Sequence, residues 1–498
     1  MAPKTNYLLA IDQSTSATKV MLFNKNAELV DRVSLPHQQY YPRPGFVEHD
    51  PNEIISNTLD GMKQLLLKSG TPVSEIACIA ITNQRETAMI WDKTTGEPVS
   101  NAAVWQCQRG VDYCNQLKEQ NKGALIKEIT GLIIDPYFSA SKLKWIVDNV
   151  EGVREKMKDG VLMAGTMDSW LVWKLTGGRV FATDYSNACR TMLLNLETLD
   201  WDDEMLELFS LDRQMLPQLV YSDEIIGTTD PAVIFDNPIP IAGLMGDSHA
   251  ALFGQNCFRP GMAKATYGTG SSIMMNIGTK PLSPPDGLVT SIGWGREKTI
   301  DYVFEGNIHC TGDTINWLVN DLQLIGSAGE TEELANSVDG NNGVYLVPAF
   351  VGLGAPYWDN TARAAISGMS RNANKAHIVR AALESIAYQV KDLIDLMGSE
   401  AGIKLKELRV DGGPTRNNFL MRFQADMLGN SIVRTRIEEI SALGSTFMAG
   451  LAVGFWSSIE EISNLRLVDL TFEPGMKAAE VEELYEGWKT AVKRAQLK

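Results

Sequence analysis

The chain contains few cysteines, few histidines and no long apolar run. Its six cysteines are scattered over 498 residues without a Cys-x-x-Cys pair, and its five histidines show no spacing typical of zinc ligands. This pattern predicts reduced thiols rather than a disulfide framework, and it disfavours a structural zinc site. No apolar stretch reaches about 18 residues, the length that crosses a bilayer, so we expect no membrane span.

The chain also has fewer basic than acidic residues. Acidic residues outnumber basic residues by 61 to 45, and the formal net charge is −16. A nucleic-acid partner needs a positive protein surface, so we expect no such partner. Residues 1–6 contain no apolar signal segment, and we therefore expect a cytoplasmic protein. An acidic chain can still bind a nucleotide, because a Mg²⁺ ion and a few backbone amides can hold the phosphates.

The chain is long enough for two domains, and a similar pattern opens each half. Apolar residues 7–11 and 19–23 predict two strands joined by a tight turn, and residues 262–267 and 273–277 predict the same arrangement. Apolar positions four residues apart over 377–397 predict an amphipathic helix. Further strands are predicted at residues 28–35, 76–82, 88–91, 161–165, 239–245, 288–294, 302–305, 344–347, 408–410 and 432–435.

This alternation of strands and helices in both halves predicts an α/β fold that arose by structural duplication. The boundary is expected near residues 254–261, where Arg259, Pro260 and Gly261 interrupt the pattern. The predicted domains are therefore residues 1–255 and residues 256–498.

A turn of small residues follows the first strand of each half, at residues 13–18 and at residues 268–270. Successive backbone N–H groups in such turns can cradle phosphate oxygens. Asp12, at the end of the first strand, could hold Mg²⁺ directly or through water. Either turn alone could be an ordinary hairpin, but two turns at matching positions favour a phosphate site.

Two other strand ends carry a carboxylate. The predicted strand at 408–410 leads into Asp411, Gly412 and Gly413, where glycine lets a flat ligand approach the backbone. A helix that begins near Asn417 would favour a phosphate there, although a plain strand-to-helix turn is an alternative. The strand at 239–245 leads to Asp247, which is a candidate general base or, alternatively, a helix N-cap.

Arg85 and Glu86 form an adjacent pair of opposite charges between two predicted strands. An arginine that donates and a carboxylate that accepts can together recognise vicinal hydroxyls. A solvated surface pair is the alternative, and it needs no ligand.

These residues lie within a longer resemblance. Residues 137–149, 364–369 and 377–384 fit the patterns of the FGGY carbohydrate kinases. Within that family, further segments resemble the glycerol kinases, namely residues 41–51, 81–87, 104–107, 134–138 and 348–358. The resemblance covers residues 7 to about 494, and it implies two actin-like (ribonuclease H-like) ATPase domains that close over an interdomain catalytic cleft.

The resemblance also implies an activity, which is transfer of the γ-phosphoryl group of MgATP to a primary hydroxyl of glycerol or a related small polyol. Asp247 would be the catalytic base, and Asp12 and Asp247 would hold the metal. The nucleotide would contact Thr15, Ser16, Lys19, Thr269, Gly312, Asn316, Gly413 and Asn417. The polyol would contact Arg85, Glu86, Trp105, Tyr137, Asp247, Ser248 and Ser272. A homodimer or homotetramer is expected.

Several positions depart from the glycerol kinase pattern. The departures are Ser14 for Gly, Lys19 for Arg, Asn316 for Gln, Ser248 for Gln, His249 for Gln and Ser272 for Phe. The last three leave a larger tetritol, pentitol or ketose open as the substrate, and His249 could contact that substrate or pack within a helix. A non-catalytic actin-like ATPase or sugar sensor is a further alternative, which Asp247 together with Arg85 and Glu86 disfavours.

Overall fold

The computed structural model describes residues 5–359 and 361–497, and its main feature is a pair of large mixed sheets. The strands of the first half are β1 (Tyr7–Gln13), β2 (Ala17–Asn24), β3 (Leu29–Pro36), β4 (Glu48–His49), β5 (Ile76–Asn83), β6 (Ala88–Asp92), β7 (Glu97–Pro98), β8 (Ala102–Ala103), β9 (Leu162–Thr166), β10 (Ala182–Asp184), β11 (Leu194–Asn195), β12 (Asp200–Trp201), β13 (Gln218–Val220), β14 (Gly227–Thr228) and β15 (Pro240–Gly246). Its helices are α1 (Pro51–Ser69), α2 (Val111–Glu119), α3 (Gly123–Thr130), α4 (Ser139–Asn149), α5 (Val153–Lys158), α6 (Met167–Leu175), α7 (Tyr185–Ala188), α8 (Asp203–Phe209) and α9 (Asp247–Gly254).

The second half contains fewer strands and longer helices. Its strands are β16 (Met262–Tyr267), β17 (Ser271–Gly278), β18 (Val289–Arg296), β19 (Thr299–Ile308), β20 (Tyr345–Val347), β21 (Ala365–Ser367), β22 (Glu407–Asp411), β23 (Ile432–Thr435) and β24 (Val468–Phe472). Its helices are α10 (Gly312–Asn316), α11 (Glu330–Asn336), α12 (Lys375–Ala401), α13 (Asn418–Leu428), α14 (Ile440–Ala452), α15 (Ile459–Ser463) and α16 (Ala478–Ala495).

The two large sheets share the order of six strands, and the second sheet has one further edge strand, β18. The first sheet runs β14-β15-β5-β1-β2-β3, and the second runs β18-β19-β17-β16-β22-β23-β24. In each, three antiparallel strands (β1, β2, β3 or β16, β17, β19) are joined to two parallel strands (β5 and β15 or β22 and β23). This repeated order confirms the predicted α/β class and the structural duplication.

The predicted strands are confirmed with shifts of a few residues at their ends, and buried apolar runs mark most of them, although β3 has no buried residue. The predicted helix is α12, which begins at Lys375 after a capping box formed by Asn374 and His377, and ends at Gly402 in the left-handed conformation. Strand β24 was not predicted, because it is an edge strand in which only Phe472 is buried. Such a strand carries little apolar signal.

The sheet topology brings polar strand ends together. Strands β1, β5 and β15 are parallel, and so are β16, β22 and β23, so their carboxyl ends share one edge of each sheet. Ligands of open α/β sheets bind at this edge. Asp12, Asp247 and Asp411 all lie at such ends.

Helix α14 belongs to the second half of the sequence but packs on the first sheet. Leu443 and Phe447 lie in one apolar cluster with Leu8 and Met21. Glu439, just before α14, forms salt bridges with Lys19 and Arg32 at N–O distances of 2.7 and 2.8 Å. The division at residues 255 and 256 stays a prediction, since residues 437–467 pack with the first sheet before β24 joins the second.

All six cysteines are buried and unpaired. Across residues 5–359 and 361–497, no helix combines the length and apolar character that a bilayer crossing requires.

Candidate functional site

A cavity of about 290 Å³ lies between the two sheets, and we call it the central cavity. Its polar lining consists of Asp12, Lys19, Asp247, Ser248, Lys264, Thr266, Ser272, Asp411, Glu438, Glu439 and Ser441. Asp12 is almost fully buried, and this burial raises the pKa of its carboxyl to about 7, although the nearby Lys19 opposes the shift. The cavity therefore joins the carboxylate ends of both sheets.

Asp247 is the first residue of α9, directly after β15. The N-cap position is Gly246, and no side chain caps this helix end, so the N-cap alternative for Asp247 is wrong. Its carboxylate accepts the Ser248 N–H at 2.6 Å and lies 3.3 Å from Nε of Arg85. The side chain is 36% exposed to solvent, which leaves it accessible to a substrate.

Arg85 and Glu86 belong to a buried group of four charged residues, which we call the ionic cluster, together with Arg190 and Glu305. Both terminal nitrogens of Arg85 donate to Glu305 at 2.9 Å. Arg190 donates to Glu86 at 2.6 Å and lies 2.9 Å from Glu305. The alternative of a solvated surface pair is wrong, because all four side chains are at most 5% exposed.

The charges of this cluster are mutually compensated. Burial alone would raise the pKa of Glu305, but Arg190 and Arg85 hold it well below its usual range. Glu305 lies on β19 in the second sheet, whereas both arginines come from the first half. The cluster therefore joins the two halves beside Asp247.

Trp105 and Tyr137 stand next to this cluster. Their rings meet edge to face with centroids 5.6 Å apart, and the Arg190 guanidinium lies 6.0 Å from the Tyr137 ring. The Trp105 indole N–H donates to the Thr15 hydroxyl at 3.0 Å. The structure thus brings four of the seven predicted polyol residues to one place, near the turn that follows β1.

Three of the six positions that depart from the glycerol kinase pattern, Ser248, His249 and Ser272, lie in α9 and β17 beside the central cavity. Ser248 and Ser272 line the central cavity, and the buried Ser272 Oγ has no hydrogen-bond partner among the described residues. His249 in α9 is fully buried. Its ring and the Arg85 side chain both approach Gly246, since a Cβ at residue 246 would lie 3.3 Å from His249 Nδ1 and 2.7 Å from Arg85 Cγ. His249 is therefore packed beneath Arg85, and burial lowers its pKa well below the usual value.

A second cavity of about 420 Å³, which we call the nucleotide cavity, lies between the turn after β16 and helices α10, α11, α12 and α13. Five predicted nucleotide residues line it, namely Thr269, Gly312, Asn316, Gly413 and Asn417. Leu383, Ile386 and Leu420 supply an apolar wall, which suits a flat base.

Local structure fixes the residues of this cavity. The carbonyls of Gly268 and Thr269 accept the N–H groups of Gly312 and Thr311, each at 2.9 Å. Gly412 has a φ of 97°, and a Cβ there would lie 2.0 Å from the Tyr267 carbonyl oxygen, so only glycine fits.

The remaining predicted nucleotide residues lie on the opposite sheet. Thr15 and Ser16 form the β1–β2 turn and do not belong to the lining of either cavity. Lys19 lines the central cavity, where Glu439 pairs with it. The two cavities approach each other at the end of β22, since Asp411 lines one and Gly413 the other.

Sequence reasoning missed Lys264, Arg190, Glu305 and the cavity position of Asp411. A signal existed for two of them, because Lys264 is the only charged residue of β16, and Glu305 is one of two charged residues in β19, the other being Asp301. A charged residue at a buried strand position needs a partner or a function. Arg190 lies in a polar segment and carried no such signal.

Two buried histidines support the turn between β1 and β2. His37 Nε2 lies 2.9 Å from the Thr15 carbonyl oxygen, and His49 Nδ1 lies 3.2 Å from the Gln84 side-chain nitrogen. Their rings are in contact, with centroids 4.6 Å apart. Burial lowers the pKa of His49 to about 3, and the neighbouring His37 adds to this shift.

We expect His49 to reduce the free energy of unfolding as the pH falls from about 6.5, the usual histidine pKa. His49 of the unfolded chain binds a proton below about pH 6.5, whereas folded His49 binds it only near pH 3. Between these two pH values, His49 lowers the free energy of unfolding by up to about 1.4 kcal/mol per pH unit. Urea unfolding of wild type and His49→Gln between about pH 7 and about pH 5 measures this contribution. Asp12, with its raised pKa, increases the free energy of unfolding as the pH falls. It does so equally in wild type and His49→Gln, so the difference between their pH slopes isolates His49. Equal pH slopes would contradict the expectation.

Comparisons with known proteins agree with this geometry. The N-terminal domain model of the FGGY family of carbohydrate kinases matches residues 7–254, and its C-terminal domain model matches residues 263–453. Glycerol kinase 2 and glycerol kinase 1 of Thermotoga maritima are 52% and 53% identical over 98% of this chain, and over 98% and 99% of their own lengths. The crystal structure of Plasmodium falciparum glycerol kinase with ADP is 36% identical, covers 99% of both chains and gives a TM-score of 0.95.

Proposed function

This chain belongs to the FGGY family of carbohydrate kinases, and we propose that it transfers the γ-phosphoryl group of ATP to a primary hydroxyl of glycerol. The observation that carries the proposal is the position of Asp247. Its accessible carboxylate lies beside buried Arg85 in a cavity that adjoins the nucleotide cavity. A base, an acceptor site and a donor site are therefore contiguous.

The acceptor is held by the residues around the ionic cluster. Arg85 donates to the polyol hydroxyls and Glu86 accepts from them, while Trp105 and Tyr137 pack on the carbon chain. Asp247 accepts the proton of the primary hydroxyl as its oxygen attacks the γ-phosphorus in line. The bond from phosphorus to the β–γ bridging oxygen breaks, and ADP leaves with that oxygen.

The energetic contributions have different sizes. Positioning of the two substrates supplies roughly 7–11 kcal/mol of the lowered barrier. Proton removal by the base adds about 10²–10⁴-fold in rate. Exclusion of bulk water prevents ATP hydrolysis in place of polyol phosphorylation.

ATP places its base against the apolar wall of the nucleotide cavity. Its phosphates extend past Thr269 and Gly413 toward the central cavity, with Thr15, Ser16 and Lys19 approaching from the first sheet. Gly312, Asn316 and Asn417 contact the nucleoside.

The residues present fit a Mg²⁺ ion. Asp12 and Asp247 place two carboxylates in the central cavity, and no cluster of three or more metal-ligand side chains occurs in residues 5–359 and 361–497. Mg²⁺ typically takes one or two carboxylates together with substrate phosphates and water. When bound, it neutralises charge on the phosphate oxygens.

A larger polyol is a second candidate acceptor, because Ser248 and Ser272 are short and Ser272 Oγ is buried without a partner among the described residues. An ADP-release assay over three-, four- and five-carbon polyols and ketoses separates the candidates by kcat/KM. We expect glycerol to give the highest value. A longer polyol that exceeds it, with Ser272→Phe restoring the preference for glycerol, would assign the wider site. ATP hydrolysis that is equal with and without every polyol would instead identify an actin-like ATPase that does not phosphorylate polyols.

Three further properties are part of the proposal. The enzyme acts in the cytoplasm as a homodimer or homotetramer, and its domains divide near residue 255. Light scattering on the purified protein tests the assembly, and limited proteolysis tests the division.

A further inference from the structure

Lys264 is a buried lysine of the central cavity with no assigned role. It lies on β16, on the same strand face as Thr266, and it is 1% exposed. Ser272 is the cross-strand neighbour of Thr266, so these three side chains share one wall of the cavity. Asp12 and Asp247 line the same cavity from the first sheet.

The ammonium group of Lys264 lacks a close compensating anion. Its Nζ donates to the Thr266 hydroxyl at 3.2 Å, and it forms no salt bridge with any carboxylate of residues 5–359 and 361–497. Burial lowers its pKa. Asp411, which accepts a hydrogen bond from the same Thr266 hydroxyl at 3.2 Å, opposes this shift, as do Glu305 and Asp247, but none of the three forms a salt bridge with Nζ. Lys19, the other lysine of this cavity, differs, because Glu439 lies 2.7 Å from its Nζ. A buried ammonium that carries its charge without a close anion is costly, and this cost is removed when an anionic ligand binds.

The position of Lys264 indicates which anion that is. Strand β16 leads directly into the turn that carries Thr269, and Thr269 lines the nucleotide cavity. Asp247 lies across the central cavity. A phosphoryl group that moves from the nucleotide to a hydroxyl beside Asp247 must pass this part of the cavity.

We propose that Lys264 is a catalytic residue whose ammonium group binds a non-bridging oxygen of the transferring phosphoryl group, and this inference rests on the proposed function. Lys264 donates hydrogen bonds throughout and transfers no proton. It stabilises the charge on the phosphoryl oxygens as the bond to the β–γ bridging oxygen breaks and the bond to the acceptor oxygen forms. Lysine suits this role, because it acts as a compact point charge with three donors.

The test compares Lys264→Met with Lys406→Met, an exposed lysine just before β22 that serves as the matched control. We expect Lys264→Met to lower kcat by about 10²-fold, the loss that follows removal of one such donor. The dissociation constant of ADP should stay within about twofold, whereas that of the imido-bridged ATP analogue should rise at least about tenfold, because only the analogue carries a γ-phosphoryl group. Lys406→Met should match wild type in all three measurements.

A lysine with a purely structural role would give a different result. Lys264→Met would then weaken ADP and the analogue equally, or leave both unchanged with kcat within about threefold of wild type, and either result overturns the proposal. If Lys264→Met does not fold, Lys264→Gln, which removes the charge but keeps a polar side chain, decides by the same ratio of dissociation constants. Both ligands bind without an acceptor, so a wrong assignment of the acceptor polyol leaves this test intact.

Discussion

Replacement of Asp247 by asparagine is expected to lower kcat by about 10²–10⁴-fold, the range that general-base catalysis supplies. Asparagine has nearly the same shape, and its side-chain oxygen can still accept the Ser248 N–H that Asp247 accepts. It cannot accept the proton of the polyol hydroxyl. The loss should therefore fall on the chemical step, with little change in the affinity for ADP.

Asp202→Asn is the matched control for this experiment. Asp202 caps α8 by accepting the Met205 N–H, and asparagine caps a helix equally well. The kcat of Asp202→Asn should equal that of wild type. Single-turnover kinetics with ATP and the preferred polyol measure the chemical step directly. Turnover of Asp247→Asn near the wild-type value would show that Asp247 is not the base.

Replacement of Glu305 by glutamine is expected to destabilise the fold by roughly 3–5 kcal/mol, which is the cost of leaving buried charge without its partner. Glu305 accepts both terminal nitrogens of Arg85 and lies 2.9 Å from Arg190. Without its charge, only Glu86 and the partly exposed Asp247 remain to compensate two buried guanidinium groups. Arg85 also loses the anchor that fixes its side chain beside Asp247, so the KM for the polyol should rise as well.

Glu297→Gln provides the control for this second experiment. Glu297 lies between β18 and β19 and pairs with Arg296, but it is 70% exposed, so its loss should cost at most about 1 kcal/mol. Thermal melting and urea unfolding of both variants give the comparison. Stability of Glu305→Gln within about 1 kcal/mol of wild type would contradict a charge-compensating role for Glu305.

The sequence determined the main strands of both sheets, the residues at their ends and helix α12. Apolar runs such as residues 76–82 and 239–245 marked the buried strands, because a strand that is covered on both faces must be apolar throughout. Capping residues and glycines set helix limits, as Asn374 and Gly402 do for α12. The carboxylates that end such strands, Asp12 and Asp247, were therefore recognisable as candidates from the order of residues alone.

Only the tertiary structure decided which charges meet. Arg85 and Glu305 are separated by 220 positions, and Lys19 and Glu439 by 420, so no local pattern joins them. Adjacent charges such as Arg85 and Glu86 look alike in sequence whether they are solvated or buried. The packing of the two sheets buries this pair against Arg190 and Glu305, and it leaves Lys264 in the central cavity without a salt-bridged carboxylate among the described residues. The neighbours of a residue along the chain indicate whether that residue is buried. The partner of a charged residue depends instead on which strand ends the fold brings together.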